Sequence, residues 1–256
     1  MSSYGAFANG YTSGGTIIAK GCGAHAEGYA IEHNAGHHGI IHDKIEASGN
    51  GAHAEGWSTT ASGEGAHAEG HGTTTSGEGA HAEGYGTTAS NEAAHAEGYG
   101  AVASGNYSHA EGRGTTASNY GAHAEGNSTT ASGEYAHAEG NSTTASGEGA
   151  HAEGYDTSAS DSYSHAEGYG TIADGIYSHA EGNSTIASGF YSHAGGDNTI
   201  ANQNAMTAVG QYNKTYEVGN LTTLFVVGDG DGTSADTSRH NAFTVSTKTN
   251  YVGNSV

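Results

Sequence analysis

A histidine followed two residues later by a glutamate recurs every fourteen residues through most of this chain. The pairs are His53/Glu55, His67/Glu69, His81/Glu83, His95/Glu97, His109/Glu111, His123/Glu125, His137/Glu139, His151/Glu153, His165/Glu167 and His179/Glu181, with His25 before them and His193 after. Imidazole and carboxylate suit three kinds of chemistry: proton transfer, metal binding, and a structural ladder of hydrogen bonds or charge pairs. Serine, histidine and aspartate all occur, but each sits in a periodic column, so no nucleophilic triad stands out and the chain reads as non-enzymatic. Rings of histidine with carboxylates suit zinc or nickel, but a repeat supplies them at every period regardless of need, so no metal site and no cofactor is expected. The "DGDG" at Asp229 to Gly232 lacks the spaced ligands and terminal glutamate of a calcium loop and reads as an acidic turn.

What positions these pairs is a repeat with two short strand-like pieces, "TTAS" and "AHAEG", joined by two-residue turns. A short period with glycine at fixed points predicts a β-roll, one coil per repeat. Because side chains alternate along a strand, Ala61 and Ala68 should point inward with Thr59 and Ala66 beside them. Thr60/Ser62 and His67/Glu69 then point out on opposite faces. The 28 residues from His25 to His53 hold a degenerate coil that stays in register, with Ala47, Ser48 and Gly49 in the places of Ala61, Ser62 and Gly63. Thr207 and Val209 take the His and Glu places in a last repeat, giving about fourteen coils over residues 14–212. Residues 1–13 read as an N-terminal cap. Over 213–256, "LTTLFVVG" and "NAFTV" predict a small C-terminal β cap whose Leu224, Phe225, Val226, Val227, Phe243 and Val245 form the largest apolar cluster and lock association.

With 45 glycines, four phenylalanines and no proline, the 256 residues cannot fill a conventional core. A net charge of -21 with six Lys and Arg leaves no basic patch, so nucleic-acid binding is not expected. No run is long and apolar enough for a membrane span, no signal peptide is visible, and membrane insertion is not expected. The single cysteine, Cys22, allows no intrachain disulfide. An alanine core is thin, at roughly 25 cal/mol per Å² buried, so association through an outer face is expected.

"SHAEG" with "TxASG", as in Ser178 to Gly182 and Thr185 to Gly189, resembles the head repeats of trimeric autotransporter adhesins of the YadA type and the same repeats in phage and prophage tail fibres. The final segment, through Leu224 to Gly228 and Arg239 to Val245, is similar to one that follows such repeats in tail proteins, although Asp229 and Asp231 crowd its turn and His240 replaces a usual serine. The resemblance implies an all-β, left-handed parallel β-roll and a homotrimer. It also implies a rigid fibre segment for host-surface attachment, binding a host glycan or protein, on a virion tail or at a cell surface; the alternatives are an adhesin head and a self-assembling extracellular filament. Aligned through Thr207 to Gly210, the His/Glu pairs face the three-fold axis as an interchain ladder. The competing placement leaves them in solvent and puts the Thr60/Ser62 columns, which become Ile172, Ile186 and Ile200, at the interface. One corner carries Trp57, His71, Tyr85, Tyr99, Arg113, Tyr155 and Tyr169, an edge suited either to receptor contact or to shielding the roll. Tyr107, Tyr135, Tyr163, Tyr177 and Tyr191 line the opposite corner and favour shielding.

Overall fold

The computed structural model describes residues 4–34, 40–215, 221–231 and 239–248. The chain divides into an N-terminal unit, Met1–Tyr135, and a C-terminal unit, Ala136–Val256. Each is a parallel β-solenoid, and no helix occurs among the described residues.

Every regular coil has a long strand such as His67–His71 and a short one such as Thr74–Thr75. Long strands pair in parallel with like residue opposite like, His81 with His95 and Glu83 with Glu97 in the N-terminal unit, His151 with His165 and Glu153 with Glu167 in the C-terminal one. The short strands form a second parallel stack, Thr88 opposite Val102 in one unit and Ile172 opposite Ile186 in the other. Between the two stacks lies the core: the Ala61, Ala66 and Ala68 columns are buried, and so is the Thr59 column. The inward and outward sets are thus those the alternation predicts. Eight hydroxyls of the threonine column, from Thr59 to Thr171, are buried with no hydrogen-bond partner among the described residues. Thr185 and Thr199 instead donate to the carbonyls of Glu181 and Gly195 at 3.2 Å.

The close stacking explains the glycine in "HAEG". Gly98 has φ +112, and a Cβ there would lie 2.2 Å from the carbonyl oxygen of Gly112 in the next coil. Both corners of a coil turn through a residue of positive φ, filled by serine, glycine, aspartate or asparagine at one corner and by glycine, alanine or, unexpectedly, tyrosine at the other: Tyr107, Tyr135, Tyr163, Tyr177 and Tyr191 all have φ of 56–58. A left-handed conformation costs such a residue about 1–2 kcal/mol. The rings offset this by stacking, Tyr163 on Tyr177 at 5.2 Å and Tyr177 on Tyr191 at 5.3 Å, and Tyr107 donates its hydroxyl to Glu92 at 2.6 Å.

The start of the chain departs from the expected layout. Strands β1 (Phe7–Ser13), β2 (Thr16–Ala19), β3 (His25–Asn34), β4 (Ile40–His42) and β5 (Lys44–Ala47) open the N-terminal unit. The segment expected as a cap supplies β1, which pairs in parallel with β3 and sets Phe7 opposite His25. The stretch read as a degenerate coil is not a coil: β3 pairs directly with His53–Trp57, His25 opposite His53, while its far end folds back antiparallel on β4. It is a hairpin inserted into one coil. Because the insertion adds one period, the register downstream is preserved, and Ala47 does sit opposite Ala61.

At the other end, Leu221–Asp229 continues the long-strand stack in parallel, Phe225 opposite Thr207, Val226 opposite Ala208 and Gly228 opposite Gly210. "FVVG" therefore stands where other coils have "HAEG". Asn241–Lys248 then pairs antiparallel with it, Val245 opposite Phe225 and Phe243 opposite Val227. Most of the Asp229 to His240 loop lies outside the described residues. The last short strand, Ile200–Ala201, has no following rung among the described residues; the Asn213 side chain takes that place, accepting from the Ile200 N–H at 2.7 Å and donating to its C=O at 2.9 Å. Asn241 binds the backbone of Lys214 in the same two-handed way, at 2.7 and 3.1 Å. Arg239 donates to the carbonyls of Asn198 and Asn213 and lies over the Tyr212 ring.

Candidate functional site: a histidine–glutamate ladder

Parallel pairing in strict register lines up every long-strand histidine above the next. In the N-terminal unit the imidazoles of His25, His53, His67, His81, His95, His109 and His123 follow one another at 4.7–4.9 Å between ring centres. In the C-terminal unit His137, His151, His165, His179 and His193 do the same at 4.7–5.0 Å. The glutamates form a second column beside them. The imidazoles are half-buried, about a third exposed, and the carboxylates stand further out.

Within a strand the Nε2 and carboxylate close into a hydrogen bond at His25/Glu27 and approach without closing at His67/Glu69 and His95/Glu97. The separation is 3.2 Å at His25/Glu27, 3.7 Å at His67/Glu69 and 4.0 Å at His95/Glu97. Further along, the partner changes: His179 lies 3.9 Å from Glu167 and His193 lies 3.2 Å from Glu181, each one coil back. Gly195 occupies the place of a glutamate in the His193 strand, which leaves that histidine no partner of its own strand. The Nε2 atoms of His53, His67, His81, His109, His151, His165 and His179 are buried without a hydrogen-bond partner among the described residues.

Within one chain the glutamate column is not closed onto the histidine column. The side chains of Glu55 and Glu69 are 49% and 47% exposed, and they stand 3.5 Å from His53 and 3.7 Å from His67, at and beyond the limit of a hydrogen bond. Glu139 is exposed next to a half-buried His137. Glu83, Glu97 and Glu111 are exposed as well; the Glu125 side chain is as open as that of Glu69, and those of Glu153, Glu167 and Glu181 are less so. The reason is geometric: residues two apart on one strand face stand roughly 6.5–7 Å from each other, so the two side chains must lean together to meet. Glu55, Glu69 and Glu139 do not make that lean and keep their carboxylates toward solvent.

Burial holds the imidazoles of His67, His95, His109 and His165 below the ordinary histidine value, and the adjacent histidine rings push the same way. The neighbouring glutamates oppose this and are outweighed. These four imidazoles are therefore neutral at neutral pH, each with one ring nitrogen free to accept.

The expected apolar cluster is only partly a core. Val226 is fully buried, but Phe243 is 55% exposed, Val245 and Leu224 are exposed, and Phe225 and Val227 are half-buried. By register Phe225 and Val227 continue the columns of Thr207 and Val209, and Phe225 meets Phe243 edge to face at 6.2 Å. The face that carries histidine and glutamate thus ends, in the C-terminal unit, in an exposed apolar patch.

Along the tyrosine corner, Tyr85 stacks on Tyr99 at 5.0 Å and Tyr155 on Tyr169 at 5.1 Å, all four exposed. Arg113 is exposed on the same edge. Trp57 is tied down: its indole N–H donates to the buried Asp43, which also accepts from Ser58 at 2.9 Å, and its ring packs against Tyr29 and His71. Asp43 lies in the inserted hairpin region, and nothing in its sequence neighbourhood marked it as that partner. No family model matches this chain, and no curated protein does.

Proposed function

We propose that the protein is a rigid, non-enzymatic fibre segment of three identical chains, packed side by side with their histidine–glutamate faces toward a common axis. As the repeats resemble those of phage and prophage tail fibres and trimeric adhesins, the role that fits best is host-surface attachment on a tail fibre. The observation that carries the reading is the ladder face: half-buried imidazoles with unpartnered Nε2 atoms, continuous in the C-terminal unit with exposed Phe243 and Val245 and half-buried Phe225 and Val227. Exposed apolar patches of this sort favour association. Carboxylates left open within one chain, such as those of Glu55, Glu69 and Glu139, would meet imidazoles of a neighbouring chain and set register more than they add stability. In the same proposal the segment after residue 212 closes the solenoid end and locks the trimer, and the stacked tyrosine edge is the surface left for a glycan or protein receptor.

Cross-linking tests the placement. In a Cys22→Ser background, Glu111→Cys should give oxidised dimers within the trimer, whereas Ser118→Cys on the opposite face should not. Cross-linking through Ser118→Cys alone would put the other face at the interface. Reducing sugar released from a host polysaccharide would overturn the non-enzymatic reading.

A further inference from the structure

We propose that the ladder of the C-terminal unit binds a divalent transition-metal ion of the zinc class, held by the Nε2 atoms of His165 and His179 and by the carboxylate of Glu167. Three observations carry this.

Glu167 lies between two rings. One carboxylate oxygen is 3.9 Å from His165 Nε2 and the other is 3.9 Å from His179 Nε2. In most coils of the N-terminal unit the carboxylate instead stands beside the histidine of its own strand, as at His67/Glu69 and His109/Glu111. The ligand atoms of His165, Glu167 and His179 all lie within 4.8 Å of one another. Around a tetrahedral zinc, with ligand bonds of 2.0–2.1 Å, neighbouring donor atoms stand about 3.4 Å apart. Rotation of the two rings about their side-chain torsions covers the difference, and the column tolerates such rotation: His67 and His81 are already tilted by 40° to one another.

The nitrogens are available. The Nε2 atoms of His165 and His179 are buried and make no hydrogen bond among the described residues.

Charge and donor type agree. The chain carries a net -21 with six Lys and Arg, so cations are drawn to it and few of its own cations compete for the carboxylates. Two imidazoles and one carboxylate, with a water completing the shell, match zinc, nickel or copper and not calcium or magnesium, which take oxygen. All three ligands come from one chain.

A second triad, His151, Glu153 and His165, is built the same way. It shares His165 with the first, so the two hold one ion between them. Tag-free protein stripped with chelator and titrated with Co²⁺ should bind one tight ion per chain, with the intense visible bands of four-coordinate cobalt that zinc then bleaches. His165→Gln should abolish this binding. Glu167→Gln, at a partly exposed side chain and so safe for folding, should weaken it by at least the roughly tenfold that loss of even an outer partner of a metal ligand causes. His67→Gln, in the N-terminal unit, should leave it unchanged. The proposal is overturned by the absence of cobalt bands, by tight binding indifferent to His165→Gln and Glu167→Gln, or by equal filling of every coil.

Discussion

Two glycines two residues apart, Gly98 and Gly100, separate the effect of backbone conformation from that of coil packing. Both have positive φ, +112 and +64. At Gly100 an added Cβ meets nothing within 4 Å, and the equivalent places in other coils hold Ser58, Ser128 and Ser142 at φ 55–57. Gly100→Ala should therefore cost only the left-handed penalty of about 1–2 kcal/mol. At Gly98 the added Cβ falls 2.2 Å from the Gly112 carbonyl oxygen, a backbone atom that no rotamer change can move. Relief requires the coils to part by about 1 Å, which stretches the bonds joining them, such as His95 N–H to Ser108 C=O at 2.9 Å and Gly114 N–H to Tyr99 C=O at 2.8 Å. Two or three such bonds at about 1 kcal/mol each, added to about 1–3 kcal/mol for the strained φ, give a loss of about 3–6 kcal/mol. Urea unfolding followed by far-ultraviolet circular dichroism measures both. Losses within about 1 kcal/mol of each other would refute the view that direct coil-to-coil contact dictates this glycine column.

Acidification should destabilise the ladder. The imidazoles of His67, His95, His109 and His165 sit below the ordinary value of 6.5 when folded, so near and below that pH the unfolded chain binds more protons and stability falls. The melting temperature should drop between about pH 7.5 and 5; a flat profile contradicts the half-buried histidine column. Glu46 behaves oppositely: hydrogen bonds from Lys20 and Lys44 hold its carboxyl below 4.5, so its contribution is present above that value and disappears as pH falls through the folded value, and Glu46→Gln should flatten the acid limb. Thr87→Val replaces a buried hydroxyl without a partner by a methyl of the same shape and should raise stability by about 1 kcal/mol in denaturant melts, whereas a loss would mean the hydroxyl is bonded. Asn213→Ala should cost about 1–3 kcal/mol by stripping both partners from the Ile200 backbone groups, and Asn213→Asp, which keeps only the acceptor, should fall between.

The period and the alternation made the solenoid legible, because one buried alanine per strand per coil leaves only one way to place the neighbours. The same regularity hid the hairpin after His25, since an insertion one period long leaves every later residue in phase. "FVVG" was readable as another rung, with Phe225 in the histidine place and Gly228 in the glycine place, but loss of the His/Glu signature masked it. Asn213 was beyond reach of sequence, as an asparagine standing in for a missing strand has no local mark. Tyrosine at positive φ runs against single-residue preference and is tolerated only because its neighbours one coil away can stack on it. The ladder's residues were fully legible. Which carboxylates stay open, as at Glu55, Glu69 and Glu139, and which one comes to lie between two imidazoles, as at Glu167, depends on side-chain geometry that identical repeats cannot distinguish.

The most direct test of the central claim is the mass of the full chain in solution by light scattering at two concentrations. A constant value of three times 25.5 kDa is the outcome expected of side-by-side packing through the ladder face. A monomer at both concentrations, or a mass that grows with concentration, would contradict it.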